Sequence, residues 1–140
     1  MAARAKPYRL TAPVVPEHDI QRSITQVLTL ELAPPGKVSK DGVLWYSIDM
    51  ANYAGAVPGI RIERGIIAGV FDIFILHRGM SYMLEIKTTI GEMSEPQRSV
   101  CSAVLGSGGR VGVVRDADET LRTLDDWSIP RAHRVRGIAA

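Results

Sequence analysis

Three residues of the chain have the types and spacing to do chemistry together. Asp72 sits within the apolar run VFDIFIL at 70–76, and Glu85 and Lys87 lie in the stretch LEIK at 84–87. An ionised carboxylate among such neighbours is costly unless something pairs with it. In an extended segment Glu85 and Lys87 share one face, while Leu84 and Ile86 point the other way. The intervening HRGM at 77–80 reads as a turn, so the two segments form a hairpin. A two-residue turn at Arg78-Gly79 sets Asp72 directly opposite Glu85. A four-residue turn sets it opposite Lys87, with Glu85 on the diagonal. Either register gathers the three side chains on one face, and a three-residue turn breaks the arrangement.

Two carboxylates facing each other across a hairpin repel, and like charges in that position weaken a sheet. A hard divalent cation between them resolves the conflict, and an open oxygen-rich site suits Mg²⁺ or Mn²⁺. Lys87 would stand beside that ion and orient or activate an attacking water. Metal, water and ammonium at one point are what phosphodiester hydrolysis requires, because charge develops on the phosphate and on the leaving oxygen. The plainer alternative makes Glu85 and Lys87 a solvated pair and Asp72 a cap for a buried donor. Many strands contain E-x-K by chance.

The elements that must position these residues follow from periodicity and turn signals. Residues 1–16 hold three prolines and no periodicity, which predicts an extended arm. A helix opens at Pro16-Glu17, with Ile20, Ile24, Val27, Leu28 and Leu32 on one face, and Pro34-Pro35-Gly36 ends it. A strand is predicted at 43–48, then a loop at 49–59 and a helical turn near 60–64. Gly65 and Gly69 bracket a short connection into the strand 70–76, the turn and the strand 81–87. Ser94 is a good N-cap, with Glu95 and Pro96 in the first turn and Gln97 behind them. That helix runs to Leu105 and stops at Gly106-Ser107-Gly108-Gly109. A strand at 110–114 follows, and Asp116 caps a last helix through Trp127. Pro130 begins the tail. The order α-β-β-β-α-β-α predicts an α/β fold without internal repeats.

The chain's 140 residues suffice for one domain with a real core. Its single cysteine, Cys101, excludes an internal disulfide, and the apolar neighbours predict a buried, inert thiol. No apolar run is long enough to span a bilayer, and no apolar stretch follows Arg4 and Lys6, so neither a membrane protein nor a signal peptide is expected. Net charge is +2 but unevenly spread. Arg4, Lys6 and Arg9 at one end, and Arg131, His133, Arg134 and Arg136 at the other, have no acid among them. Between these ends 11 basic residues face 15 acidic ones. An acidic core with basic, flexible ends suits a carboxylate site that must approach phosphates, although basic tails also serve solubility.

Three coupled blocks carry a resemblance. The stretch GIIAGVFDI at 65–73, LEIK at 84–87 and GEMSEPQ at 91–97 resemble the VRR-NUC domain of the PD-(D/E)XK nuclease superfamily. That family's pattern is roughly G-x-x-x-G-x-P-D, then E-x-K, then G-x-x-S-x-x-Q. The likeness spans about 17–115, and Phe71 stands where the family usually has proline. It implies a restriction-endonuclease-like αβββαβ core, a mixed central sheet flanked by helices. The nuclease domain would occupy 17–127, between a basic arm at 1–16 and a basic tail at 128–140.

Carried over residue by residue, the resemblance implies that Asp72 and Glu85 ligate Mg²⁺ or Mn²⁺, with the backbone carbonyl of Ile86 as a further ligand. Glu17 would complete the site, its plainer reading being a first-turn acid that favours the helix dipole. Lys87 would activate the water, and Gln97 would position the water or the scissile phosphate. Arg61, Arg64 and Arg98 are candidate phosphate contacts, and Asn52 and Tyr53 lie in a loop that could meet substrate. His18 and His77 are too isolated to indicate zinc. Stand-alone proteins of this kind occur in bacteria and phages. The resemblance therefore implies structure-selective cleavage of branched DNA, including four-way (Holliday) junctions, by a homodimer in the cytoplasm of a bacterial cell or infected host. Two other readings compete: a general or sequence-specific nuclease on linear DNA, and a non-catalytic nucleic-acid-binding module.

Overall fold

The computed structural model describes residues 12–48 and 65–133. The first helix, α1 (Glu17–Glu31), buries Ile20, Ile24 and Leu28, one residue per turn, and the chain leaves it just before Pro34-Pro35. Strands β1 (Val43–Ser47), β2 (Ile73–His77) and β3 (Met80–Ile86) form an antiparallel meander. Helix α2 (Glu95–Gly106) then returns the chain so that β4 (Arg110–Val114) pairs parallel to β3. The last helix, α3, spans Ala117–Asp126. The protein is thus an α/β fold with a mixed four-stranded sheet in the order β1-β2-β3-β4, flanked by three helices, compatible with an αβββαβ-type core. No helix among the described residues is long and apolar enough to cross a membrane.

One face of the sheet carries the main core. Val43, Trp45, Ile73, Ile75, Leu84, Ile86 and Val114 are fully buried there, beneath Ile24 and Leu28 of α1 and Leu124 of α3. Alternation along each strand produces this face, and the fully buried Trp45 has its indole N–H satisfied by the Ala33 carbonyl at 2.7 Å. Helix α2 lies on the opposite face and has no fully buried residue. Cys101, expected to be buried, is accordingly only half-buried, because α2 covers its face less completely than α1 and α3 cover theirs.

The hairpin turn settles the register. Arg78 and Gly79 both have positive φ (49° and 75°), as a two-residue type I′ turn requires. His77 therefore pairs with Met80 and Ile73 with Leu84, which sets Asp72 opposite Glu85. The alternative with a four-residue turn is excluded.

Two differences from the sequence reading have clear causes. The segment 70–72 does not belong to the strand, so Asp72 stands at the entrance of β2 rather than inside it. Gly69 explains the early departure. Its φ is +84°, and a Cβ there would lie 2.3 Å from the Pro96 carbonyl carbon, so the chain passes against the first turn of α2 before entering the sheet. The second difference is at the C-terminal end, where the packed fold continues beyond 128. Ile129 is fully buried, the Ala132 N–H donates to the Glu31 carbonyl at 2.8 Å, and Arg131 bridges Glu31 and Asp125. Residues 128–133 are tied to α1 and α3 through an apolar anchor and an ion-pair cluster, so they are not a free basic tail.

Candidate active site

The site forms where β2 begins, β3 ends and α2 starts. Asp72 is held by three hydrogen bonds. Its N–H donates to the Leu84 carbonyl at 3.1 Å, its carbonyl accepts from Ile48 N–H at 2.8 Å, and its Oδ2 accepts from Ile86 N–H at 2.8 Å. The side chain thus takes a sheet donor left over where the chain departs before β2. This is the capping role that the plainer reading assigned to Asp72, and it engages only one carboxylate oxygen.

Glu85 is on the same face of β3, 1% exposed. Its Oε1 accepts from Gln97 Nε2 and lies 3.1 Å from Lys87 Nζ. Its Oε2 is buried with no hydrogen-bond partner, the only such side-chain atom among the described residues. Burial, the Asp72 charge and more weakly Glu17 outweigh the Lys87 ammonium and push the Glu85 carboxyl up to about 7. Asp72 is also raised, first by burial and then by Glu17, against the lowering effects of the Ile86 N–H and Lys87. Lys87 is itself largely enclosed, with 12% of its side chain exposed. The solvated Glu85–Lys87 pair of the plainer reading is therefore not what forms.

Gln97 reaches Glu85 because α2 begins with a complete capping box. Ser94 Oγ accepts from the Gln97 N–H at 3.3 Å, and Gln97 Oε1 accepts from the Ser94 N–H at 2.9 Å. With its oxygen committed to the cap, the amide presents its nitrogen to Glu85. The close passage of Gly69 along Pro96 and Gln97 fixes this helix start against the sheet. Gln97 contacts the carboxylate itself, a role distinct from the water or phosphate contact expected for it.

Other expected residues fall less centrally. Glu17 opens α1 on the surface, close enough to raise the half-buried Asp72 and the buried Glu85 electrostatically. Among the described residues no three His, Cys, Asp or Glu side chains are grouped so as to hold a metal ion by themselves. Arg98 is committed to the start of α2, donating to the Met93 carbonyl at 2.7 Å and pairing with Glu95 at 2.8 Å. His18 and His77 are apart from the site, the first against Arg22 and the second near the Gly42 carbonyl. Arg61, Arg64, Asn52 and Tyr53 lie outside the described residues.

Arg115 is a neighbour that the sequence reading did not single out. Directly after β4, its Nη1 donates to the carbonyls of Thr88 and Gly91, the latter at 2.8 Å, in the turn that follows Lys87. Only the parallel pairing of β4 with β3 brings these segments together, and the sequence carries no local signal of that pairing.

No protein family, curated protein or solved structure matches the chain.

Proposed function

We propose that this protein is a metal-dependent DNA endonuclease that hydrolyses phosphodiester bonds, selecting branched structures such as four-way junctions. One observation carries the reading: a buried glutamate with an unpartnered oxygen, set beside a second carboxylate and an enclosed ammonium. A fold maintains such an arrangement at a cost in stability, and perturbed groups of this kind cluster at functional sites. The three-block resemblance to the VRR-NUC domain supports the same chemistry from the sequence side.

Asp72, Glu85 and the Ile86 carbonyl would form a hard-oxygen donor set, and the unpartnered Glu85 Oε2 fits a ligand atom of such a set. This suits Mg²⁺ or Mn²⁺, which keep several waters and need only one or two carboxylates. Glu17 would complete the set by a movement of its exposed side chain. A bound dication supplies charge stabilisation at the phosphate and an acidified water. The chain's own residues do the remainder. Lys87 holds a positive charge where negative charge develops and orients the attacking water. Gln97 fixes the Glu85 rotamer, and Asp72 ties the carboxylate pair to the sheet. The described residues hold only the sheet and its three helices, with no added element for reading bases in the major groove, which favours recognition of DNA shape. A two-fold homodimer would present paired sites to the symmetric strands of a junction, and its place of work would be the cytoplasm, with the DNA.

The test is cleavage of a labelled panel of four-way junction, flap, splayed arm, linear duplex and single strand in Mg²⁺ or Mn²⁺, with Lys87→Ala alongside. Symmetric paired cuts in the junction that vanish in the variant are expected. Cleavage of linear duplex in preference to the junction would replace structure selectivity with a general nuclease. Metal-dependent cleavage of nothing in the panel would leave a DNA-binding module.

A further inference from the structure

We propose that Arg115 is a positioning residue for Lys87, stapling the turn after β3 so that the ammonium stays on Glu85. The inference rests on the nuclease reading for its consequence, but the contact itself stands on separate observations. The Lys87 N–H donates to the Val114 carbonyl at 3.0 Å, so Lys87 leaves the sheet beside the residue that precedes Arg115. Both hydrogen bonds of the Arg115 guanidinium go to the turn, at Thr88 and Gly91, and the Arg115 N–H is itself held by Glu119 Oε2 at 3.2 Å. The turn closes through Gly91 N–H to the Thr88 carbonyl at 3.2 Å. Gly91 packs so closely that a Cβ would lie 3.0 Å from Thr88 Oγ1 and 3.5 Å from Lys87 Cδ. The turn backbone is therefore one wall of the Lys87 side-chain channel, and Arg115 holds that wall in place. A lysine has four rotatable bonds, and an unrestrained ammonium would spend its time in water. Confinement by the wall is what leaves Nζ at 3.1 Å from Glu85.

The chain has four lysines, Lys6, Lys37, Lys40 and Lys87. NMR of protein labelled with ¹³C at lysine Cε therefore resolves one side-chain signal per residue, and loss of a signal in Lys87→Met assigns Lys87. In the wild type this signal stands apart from those of the exposed Lys37 and Lys40. In Arg115→Met, which keeps length and removes the donors, it moves onto them, and turnover falls roughly 100-fold at unchanged DNA affinity. A merely structural arginine would lower the melting temperature without moving the Lys87 signal. An unmoved signal in the folded variant overturns the proposal. If Arg115→Met does not fold, Arg115→Gln decides, because it keeps a polar side chain there while losing the guanidinium that spans the Thr88 and Gly91 carbonyls. The same displacement is expected there, and its absence is equally fatal. If the wild type cleaves no DNA, the function above fails while the lysine signal still decides the positioning.

Discussion

Two glutamates among the described residues are buried, and the fold treats them in opposite ways. Glu31, at the end of α1, has both oxygens satisfied. Oε2 pairs with Arg131 at 3.1 Å and accepts the His133 N–H at 3.0 Å, and Oε1 meets His133 Nδ1 at 3.1 Å. Arg131 in turn grips both oxygens of Asp125, at 2.9 and 3.0 Å. Burial alone would raise the Glu31 carboxyl, but these partners outweigh it and hold it below its ordinary value. Glu85 has an ammonium and an amide on one oxygen and, among the described residues, no partner on the other, and its carboxyl is raised to about 7. The same chain can close a carboxylate completely where the contact ties the C-terminal segment to α1. The shortage at Glu85 is therefore a local property of the site, and under the proposed function it is the property a bound cation would use.

The largest effects that sharpen this contrast are on activity. Lys87→Ala, Asp72→Asn and Glu85→Gln are expected to lower DNA cleavage by at least roughly 10³-fold while preserving DNA binding. Asp72→Asn is the informative member, because asparagine keeps an oxygen for the Ile86 N–H while losing the charge. Wild-type turnover in that variant would reduce Asp72 to a cap. Glu31→Gln should do the reverse. Breaking a buried, hydrogen-bonded ion pair is expected to cost about 3–5 kcal/mol in denaturant unfolding, with turnover per folded molecule unchanged.

Next in size is an opposite dependence on pH. The native state holds the Glu85 proton to higher pH than the unfolded chain. Its contribution to stability is therefore greatest at or below about pH 4.5, and falls away as pH rises towards about 7. The loss above that range is of the order of 3 kcal/mol, and Glu85→Gln should recover it at pH 8 but not at pH 4.5. Mg²⁺ should raise the wild-type melting temperature more at pH 8 than at pH 5, and an equal rise at both would argue against a metal on Glu85. Glu31, being lowered, stabilises the fold above its ordinary value, and that contribution is lost as pH falls below about 4.5. Glu31→Gln should flatten the acid limb only.

The smallest expected effect tests how α2 is seated. Gly69→Ala places a methyl against the Pro96 backbone at a φ that L-residues avoid, costing about 1–3 kcal/mol. Shifting α2 also withdraws Gln97 from Glu85, so activity should fall further than the loss of folded protein explains. A proportionate fall would mean that Gln97 is dispensable.

Much of this was legible in the sequence because it rests on short-range rules. Apolar spacing in α1, a turn within 77–80, the Ser94 cap and the Asp116 cap are each set by residues a few positions apart. Together they point to the element order and, through strand alternation, to a shared face for Glu85 and Lys87, which Asp72 joins in two of the three turn lengths. Only the tertiary structure chose among the hairpin registers, took Asp72 out of the strand and made it a cap. It alone also paired β4 parallel to β3, bringing Arg115 to a turn 27 residues earlier in the chain, and closed Arg131 onto Glu31 across 100 residues. Local periodicity carries no information about contacts at those separations. Whether a buried carboxylate is satisfied or left short depends on such contacts, so residue types could propose the site, but only the packing decided which of these two glutamates keeps an unpartnered oxygen.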